Sequence, residues 1–246
     1  MTPKFSLKNL HKTFGTHSVL RGINLEIFPG ESLVIIGGSG TGKSVLFKCL
    51  LGLMQADSGV LEMDGKNILK ENAQENEDRL KDIGVVFQGS ALFDSLTVWE
   101  NVAFRLLYAE RRGRQESKKI ALQKLAAVGL KKNVADLYPS EISGGMARRV
   151  ALARAIASQP QVLFFDEPTS GLDPIFSSTI NQLIKKSVKE LGVTALTITH
   201  DMTSARVIGD RIAVLYEGKI IWCGPAKDIN KSDNPYVQQF IQGRPD

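Results

Sequence analysis

Cysteine is scarce in this chain. The 2 thiols in 246 residues, Cys49 and Cys223, lie far apart inside apolar segments, and neither sits in a C-x-x-C or metal-ligand spacing. That leaves no thiol-built metal centre or redox pair, and both read as buried free thiols. Long apolar runs are missing too: no stretch of about 18 consecutive apolar residues occurs, so no membrane span is expected. The start, Met1-Thr2-Pro3-Lys4-Phe5, lacks the apolar segment of an export leader, which points to a cytosolic polypeptide. Internal repeats and low-complexity segments are absent. The basic residues are scattered, and the densest run, Arg111-Arg112-Gly113-Arg114, is short. It reads as a solvated loop, with contact to acidic lipid headgroups as the sharper alternative. The net charge of +5 suits phosphate ligands, nucleic acid or an anionic membrane surface and does not choose among them.

What the chain does have is ample apolar content, 43% of its residues, and a length near the upper limit for one core. One large domain, or a core with a smaller subdomain, is expected. Its organising stretch is Gly37-Gly38-Ser39-Gly40-Thr41-Gly42-Lys43-Ser44, which follows the apolar run Ser32 to Ile36 and precedes the helix-capable segment Val45 to Leu53. Glycines let successive backbone N–H groups curl around a phosphate, and the following helix aims its positive dipole end at the same anion. Lys43 reaches the outer phosphates and the Ser44 hydroxyl serves Mg²⁺, which completes the phosphate-loop pattern and predicts nucleoside triphosphate binding.

Residues 4–10 and 19–28 alternate apolar and polar, as half-exposed strands do. Between them lies Lys12-Thr13-Phe14-Gly15; by pattern alone Phe14 reads as a core aromatic, with stacking on a base as the alternative. Strands are expected over Gly59–Met63 and Ile83–Phe87, with a solvated surface helix or loop over Lys70–Asp82. From Leu96 to about Ser158 the pattern turns helical: Thr97 caps Val98–Tyr108, Ser117 starts a helix to Val128, and Gly129 ends it. The apolar run Gln161–Asp166 reads as a buried parallel strand. Asp173 and Pro174 open a long helix. Strands over Val193–Thr199, Arg211–Tyr216 and Lys219–Cys223, a helix over Met202–Ile208 and a last helix over Pro235–Gln242 complete the chain. This alternation predicts a mostly parallel, doubly wound α/β sheet joined to an N-terminal antiparallel β-subdomain and an inserted helical subdomain.

A buried strand that ends in Asp166-Glu167 suits a phosphate-loop enzyme: one carboxylate fixes Mg²⁺, and its neighbour acts as general base on the attacking water. Ser143-Gly144-Gly145 opens a second helix, Met146 onward, with flexible glycines and a hydroxyl at its start, a second anion-binding arrangement.

Taken together, these segments resemble the ATP-binding subunit of ABC transporters from about Phe5 to Gly224. Ser143-Gly144-Gly145 stands where that family's signature motif stands, and Ser170-Gly171-Leu172-Asp173 resembles its D-loop. Gln88 matches the Q-loop glutamine, which the resemblance implies contacts Mg²⁺ and the membrane partner. His200 matches the switch histidine at the γ-phosphate, and Phe14 falls where the base-stacking aromatic lies. The implied fold is a P-loop NTPase core (1–87 and 161–224), a helical subdomain carrying the signature (88–160) and a C-terminal extension (225–246), all one ATPase domain. The implied ligands are ATP and Mg²⁺. The implied partners are a second copy, packed head to tail so that its Ser143–Gly145 close over the nucleotide held by Lys43, and integral-membrane permease subunits; Asp173 of the D-loop is implied as a further nucleotide-binding residue. No nucleic acid is expected. Departures are Met146 for the usual glutamine, which puts that side chain's contact in doubt, Ile142 for leucine, and Val45 for the threonine after Ser44.

The run Gly89 to Phe104, with Ser143 to Arg149, resembles the Mla-type branch, which moves phospholipids or related lipids between bacterial membranes with a permease and an MCE-domain lipid-binding protein. The tail Asn234 to Gly243 resembles that branch too and implies contacts with the second ATPase copy. On this reading the chain would sit on the inner face of the inner membrane. The alternatives are import of polar amino acids or another solute, and ABC ATPases of translation or DNA repair. The single phosphate loop and the short stretch between Lys43 and Ser143 argue against those non-transport forms.

Overall fold

A computed structural model describes residues 2–242; Met1 and residues 243–246, and with them Gly243 of the tail resemblance, lie outside the described residues. In chain order the elements are strands β1 (Phe5–Phe14), β2 (His17–Ile27) and β3 (Ser32–Ile36), helix α1 (Lys43–Leu51), strands β4 (Ser58–Met63) and β5 (Lys66–Asn67), helix α2 (Ala73–Leu80) and strand β6 (Ile83–Val86). Helices α3 (Val98–Tyr108), α4 (Arg114–Ala127) and α5 (Gly144–Ala155) follow. Then come β7 (Val162–Asp166), α6 (Pro174–Leu191), β8 (Thr194–Thr199), α7 (Met202–Ile208), β9 (Arg211–Tyr216), β10 (Lys219–Pro225) and α8 (Pro235–Ile241). Among the described residues, no helix is long and apolar enough to cross a membrane.

The chain forms two compact units. The first comprises the residues up to Leu80 and those from Gly192 onward. Its antiparallel sheet has the order β2-β1-β4-β5. A second sheet in this unit runs β10-β9-β3-β8, with β3 parallel to both β8 and β9 and β10 closing a hairpin on β9. Every residue of β3 and β8 is buried, which is why β3 reads as a nearly continuous apolar run rather than an alternating one, while β8 buries Thr194, Thr197 and Thr199 among its apolar residues. The first hairpin is longer than the alternation predicted. β1 continues to Phe14 and β2 starts at His17, so Lys12 and Thr13 are strand residues and not a connecting loop. α2 is a surface helix with no buried residue, as its mixed charges suggested.

The second unit, Lys81 to Leu191, holds the helical stretch together with β6, β7 and α6. β6 and β7 pair in parallel, Ile83 opposite Val162 through Val86 opposite Phe165. α3 begins where its cap predicted: the Glu100 carboxylate accepts from the Thr97 amide at 3.0 Å and from its hydroxyl at 2.7 Å. α4 starts earlier than expected, at Arg114. The Ser117 amide donates to the Gly113 carbonyl at 2.9 Å, so Ser117 lies inside the first turn, fully buried, and Gly113 is the cap. A further correction concerns the thiols: Cys49 is buried, but Cys223 is exposed on β10 and its sulfur accepts a hydrogen bond from Arg211.

Candidate active site

The phosphate loop leaves β3 at its buried C-terminal end, and its shape is set by glycine. A Cβ on Gly37 would stand 2.2 Å from the Leu215 carbonyl oxygen of β9, and Gly42 has φ +104°, so neither position accepts a side chain without strain. The loop wall is therefore backbone, the surface that phosphate oxygens require. Lys43 opens α1 with only 9% of its surface exposed, and its Nζ donates to the Gly37 and Gly38 carbonyls at 2.8 Å each. Those bonds hold the ammonium against the glycine backbone. Thr41 Oγ1 donates to the Gly38 carbonyl at 3.0 Å, while Ser39, Gly40 and Ser44 are exposed and Val45 is half-buried.

Phe14 is 46% exposed at the end of β1, with Lys12 Nζ 5.4 Å from its ring centroid, so the reading as a core aromatic is wrong. A cleft of about 210 Å³ borders the loop, lined by His17, Ser18, Val19, Arg21, Gly40, Thr41, Glu217 and Gly218. Sequence reasoning also passed over Tyr236 of α8. Its ring lies 3.7 Å from that of Tyr216, and its hydroxyl stands 3.5 Å from where a Cβ on Gly38 would be.

His200 is exposed and follows the buried strand β8. The next residue caps α7: the Asp201 carboxylate accepts from the Thr203 amide at 2.9 Å, the Ser204 amide at 3.1 Å and the Ser204 hydroxyl at 2.5 Å. Burial works against the ionised carboxylate, yet these hydrogen bonds and the neighbouring His200 hold its pKa below the usual value. A lowered carboxyl pKa gives stability that is present above the unfolded-state value and lost as pH falls through the folded one. Asp201→Ala is therefore expected to cost about 1 kcal/mol at neutral pH through loss of the cap. Denaturant titrations of the two proteins should show that difference closing below about pH 4.

In the second unit, Asp166 ends β7 and Glu167 follows with φ +46°, a left-handed backbone rare for a side chain of this size. Both are half-buried, and the Ser170 amide donates to the Glu167 carbonyl at 3.1 Å. Gln88 is exposed and its Nε2 donates to Ser170 Oγ at 3.3 Å, which brings the Gln88 loop and the Ser170–Asp173 loop together. Arg148, a residue sequence reasoning did not single out, donates to the Ser170 carbonyl at 3.0 Å and the Phe87 carbonyl at 3.4 Å. Its only sequence signal was a charge on a helix that is otherwise largely apolar. Asp173 caps α6, accepting from the Ile175 and Phe176 amides at 3.0 and 3.1 Å.

Ser143 caps α5, its hydroxyl accepting from the Met146 amide at 3.3 Å. That bond uses the Met146 backbone alone, so the departure from glutamine leaves the cap intact. The Phe176 ring lies 3.3 Å from where a Cβ on Gly145 would stand, which ties the signature turn to the start of α6. A larger cavity of about 620 Å³ along α4 contains none of these residues.

Among the described residues, no group of three or more His, Cys, Asp or Glu is placed to hold a metal. Mg²⁺ favours few protein ligands beside phosphate oxygens and water, and the exposed Ser44 hydroxyl at the start of α1 suits such a role.

A glycine cradle with a bound lysine, an acid-ended strand and a capped glycine-start helix define a nucleotide-hydrolysing cassette. Residues 20–170 match the family model described as ABC transporter, and the chain belongs to that family. It is an ATP-binding ATPase with the α/β P-loop fold. It is similar to the chloroplastic protein trigalactosyldiacylglycerol 3 of Arabidopsis thaliana, with 41% identity over 96% of this chain and 72% of that one. It is also similar to the glutamine transport ATP-binding protein GlnQ of Escherichia coli K12, at 40% identity over 96% and 97%. The intermembrane phospholipid transport system ATP-binding protein MlaF of Haemophilus influenzae is 36% identical over 98% and 90%. Among solved structures, a dimeric ATP-binding cassette in a post-hydrolysis state, bound to ADP and Pi, matches with a TM-score of 0.82 at 34% identity, over 90% of this chain and 98% of that one.

Proposed function

We propose that this chain is the ATP-hydrolysing subunit of a transporter that moves phospholipid, or a related lipid, between bacterial membranes. The carrying observation is the stretch after Gln88 that bears the Mla-type resemblance. There Asn101, fully buried, accepts from the Phe93 amide at 2.7 Å and donates to the carbonyls of Phe93, Leu96 and Thr97 at 3.0 to 3.1 Å. This single side chain fixes the segment so that Phe93 remains 44% exposed while stacking on Phe104, with ring centroids 4.4 Å apart. An exposed aromatic held by these bonds, five residues after Gln88 in the chain, suits contact with a membrane subunit. Similarity to a phospholipid transport ATP-binding protein over nearly the whole chain supports the same reading.

In this account Phe14 stacks on the adenine, the backbone of Gly37–Val45 cradles the phosphates and Lys43 neutralises the outer ones. Ser44, Gln88 and Asp166 hold Mg²⁺, which neutralises phosphate charge when bound. Glu167 takes a proton from the attacking water as its oxygen bonds to the γ-phosphorus and the bond to the ADP oxygen breaks. His200 contacts the γ-phosphate. Ser143, Gly144, Gly145 and Asp173 act on the nucleotide of a second copy, whose dimer closure excludes water and drives permease subunits, with an MCE-type protein as lipid partner. The chain would work on the inner face of the inner membrane.

A second reading, import of a polar amino acid or another solute, draws on the 40% identity to a glutamine transport ATP-binding protein. Purification from detergent-solubilised membranes separates the two. Recovery of a permease with an MCE-type protein supports the lipid reading, and recovery of a permease with a soluble amino-acid-binding protein overturns it.

A further inference from the structure

α5 begins at the signature turn and buries Val150, Ala151, Leu152 and Ala153, yet it carries Arg154 in its last turn. The guanidinium of that half-buried residue forks onto two consecutive carbonyls: Nη1 donates to Ala91 at 2.6 Å and Nη2 to Ser90 at 2.8 Å. Both acceptor residues have left-handed backbones, φ +63° at Ser90 and φ +46° at Ala91, and Ser90 is only 4% exposed. Two adjacent non-glycine residues in this region persist only where the surroundings dictate them. A planar fork that fixes both carbonyls at once is such a constraint, and a lysine ammonium cannot reproduce it.

These two residues follow Gln88 closely, and the same helix holds the other side of Gln88 as well, because Arg148 donates to the Phe87 carbonyl. The Ser90 amide in turn donates to that carbonyl at 2.9 Å, closing a tight turn around Gln88 and Gly89. We infer that Arg154 is a positioning residue for Gln88: it locks the strained exit of the Gln88 loop to the signature helix, so that the loop and the Ser143–Gly145 turn move as one body. The inference rests on the role given above to Gln88 at Mg²⁺ and the membrane partner. It adds the device that connects Gln88 to the signature turn. Burial lowers the guanidinium pKa of both Arg148 and Arg154 without discharging either.

The test uses the purified full chain and four variants, Arg154→Gln, Arg154→Lys, Ala91→Gly and the Arg154→Gln/Ala91→Gly double. Arg154→Gln is expected to lower kcat about tenfold and raise the Mg²⁺ needed for half-maximal turnover, with ATP affinity within about twofold of wild type. Ala91→Gly alone should change kcat by less than about twofold, because glycine adopts the left-handed backbone freely. Added to Arg154→Gln it should restore kcat at least about threefold, a non-additive rescue that a merely structural arginine would not give. Arg154→Lys should fall between wild type and Arg154→Gln, and it serves in place of Arg154→Gln if that variant does not fold. A double variant no faster than Arg154→Gln, or ATP affinity falling in step with kcat, would overturn the inference. Gln88→Ala is the reference. A slow Gln88→Ala beside an unimpaired Arg154→Gln overturns the inference alone, whereas a Gln88→Ala variant that turns over as fast as wild type overturns the role of Gln88 and this inference with it.

Discussion

Glu167→Gln is expected to bind ATP within about threefold of wild type and to lose at least about 100-fold in turnover, the scale of a removed general base. The glutamine keeps the size of the side chain and its place after β7, so the left-handed backbone at this position and the bond from the Ser170 amide to its carbonyl are undisturbed. What it loses is the capacity to accept a proton. ATP affinity rests on other groups, above all the loop backbone and Lys43, and these lie on a different stretch of chain. Phosphate release and nucleotide binding, measured on the same preparation, check the pair of expectations. Retention of more than about a tenth of wild-type turnover would remove Glu167 from the base role.

Gly37→Ala should damage binding and folding together. Its new methyl would stand 2.2 Å from the Leu215 carbonyl oxygen and 2.9 Å from Thr41 Oγ1. The hydroxyl can turn away, but Leu215 is fully buried in β9, a strand held between β10 and the parallel β3, and cannot. The loop must move instead, and the Lys43 ammonium then loses the Gly37 carbonyl that holds it. Overpacking against backbone lies at the upper end of its usual range, about 3 kcal/mol, which corresponds to a fall in Tm of roughly 6 to 12 °C for a chain of this size. ATP affinity should fall at least about tenfold. Thermal unfolding and ATP titration together provide the check; a variant with wild-type Tm would mean that β9 yields at Leu215 after all.

How much of this was legible in the sequence followed the reach of the forces involved. Caps and periodicity act within about four residues, so the starts of α3 at Thr97 and α6 at Asp173, and the bounds of α7 and β9, could be read directly. The phosphate loop was legible for the same reason, since its glycines, lysine and serine are contiguous. Ser117 misled because serine favours caps, yet here Gly113 takes that place and the serine is drawn into the buried face of α4. Cys223 misled because an apolar neighbourhood in sequence says nothing of which strand is uncovered, and β10 pairs with β9 on one side only.

Contacts at long range gave no local signal at all. Arg154 reaches a carbonyl 63 residues away, and Arg148 one 61 residues away. In the sequence both are simply arginines on a helix, and only the folded chain shows that they grip the two sides of Gln88. Asn101 is similar: nothing local distinguishes a fully buried asparagine that staples four backbone groups from an ordinary one on a helix surface.

Lipid analysis of the native complex, purified through this subunit, decides whether its ATP hydrolysis drives lipid movement as proposed. Phospholipid, or a related lipid, is expected to be retained in stoichiometric amount and released when ATP is added to the wild-type complex but not to the Glu167→Gln complex. Bound amino acid or sugar, with no lipid released by ATP, would contradict the lipid reading.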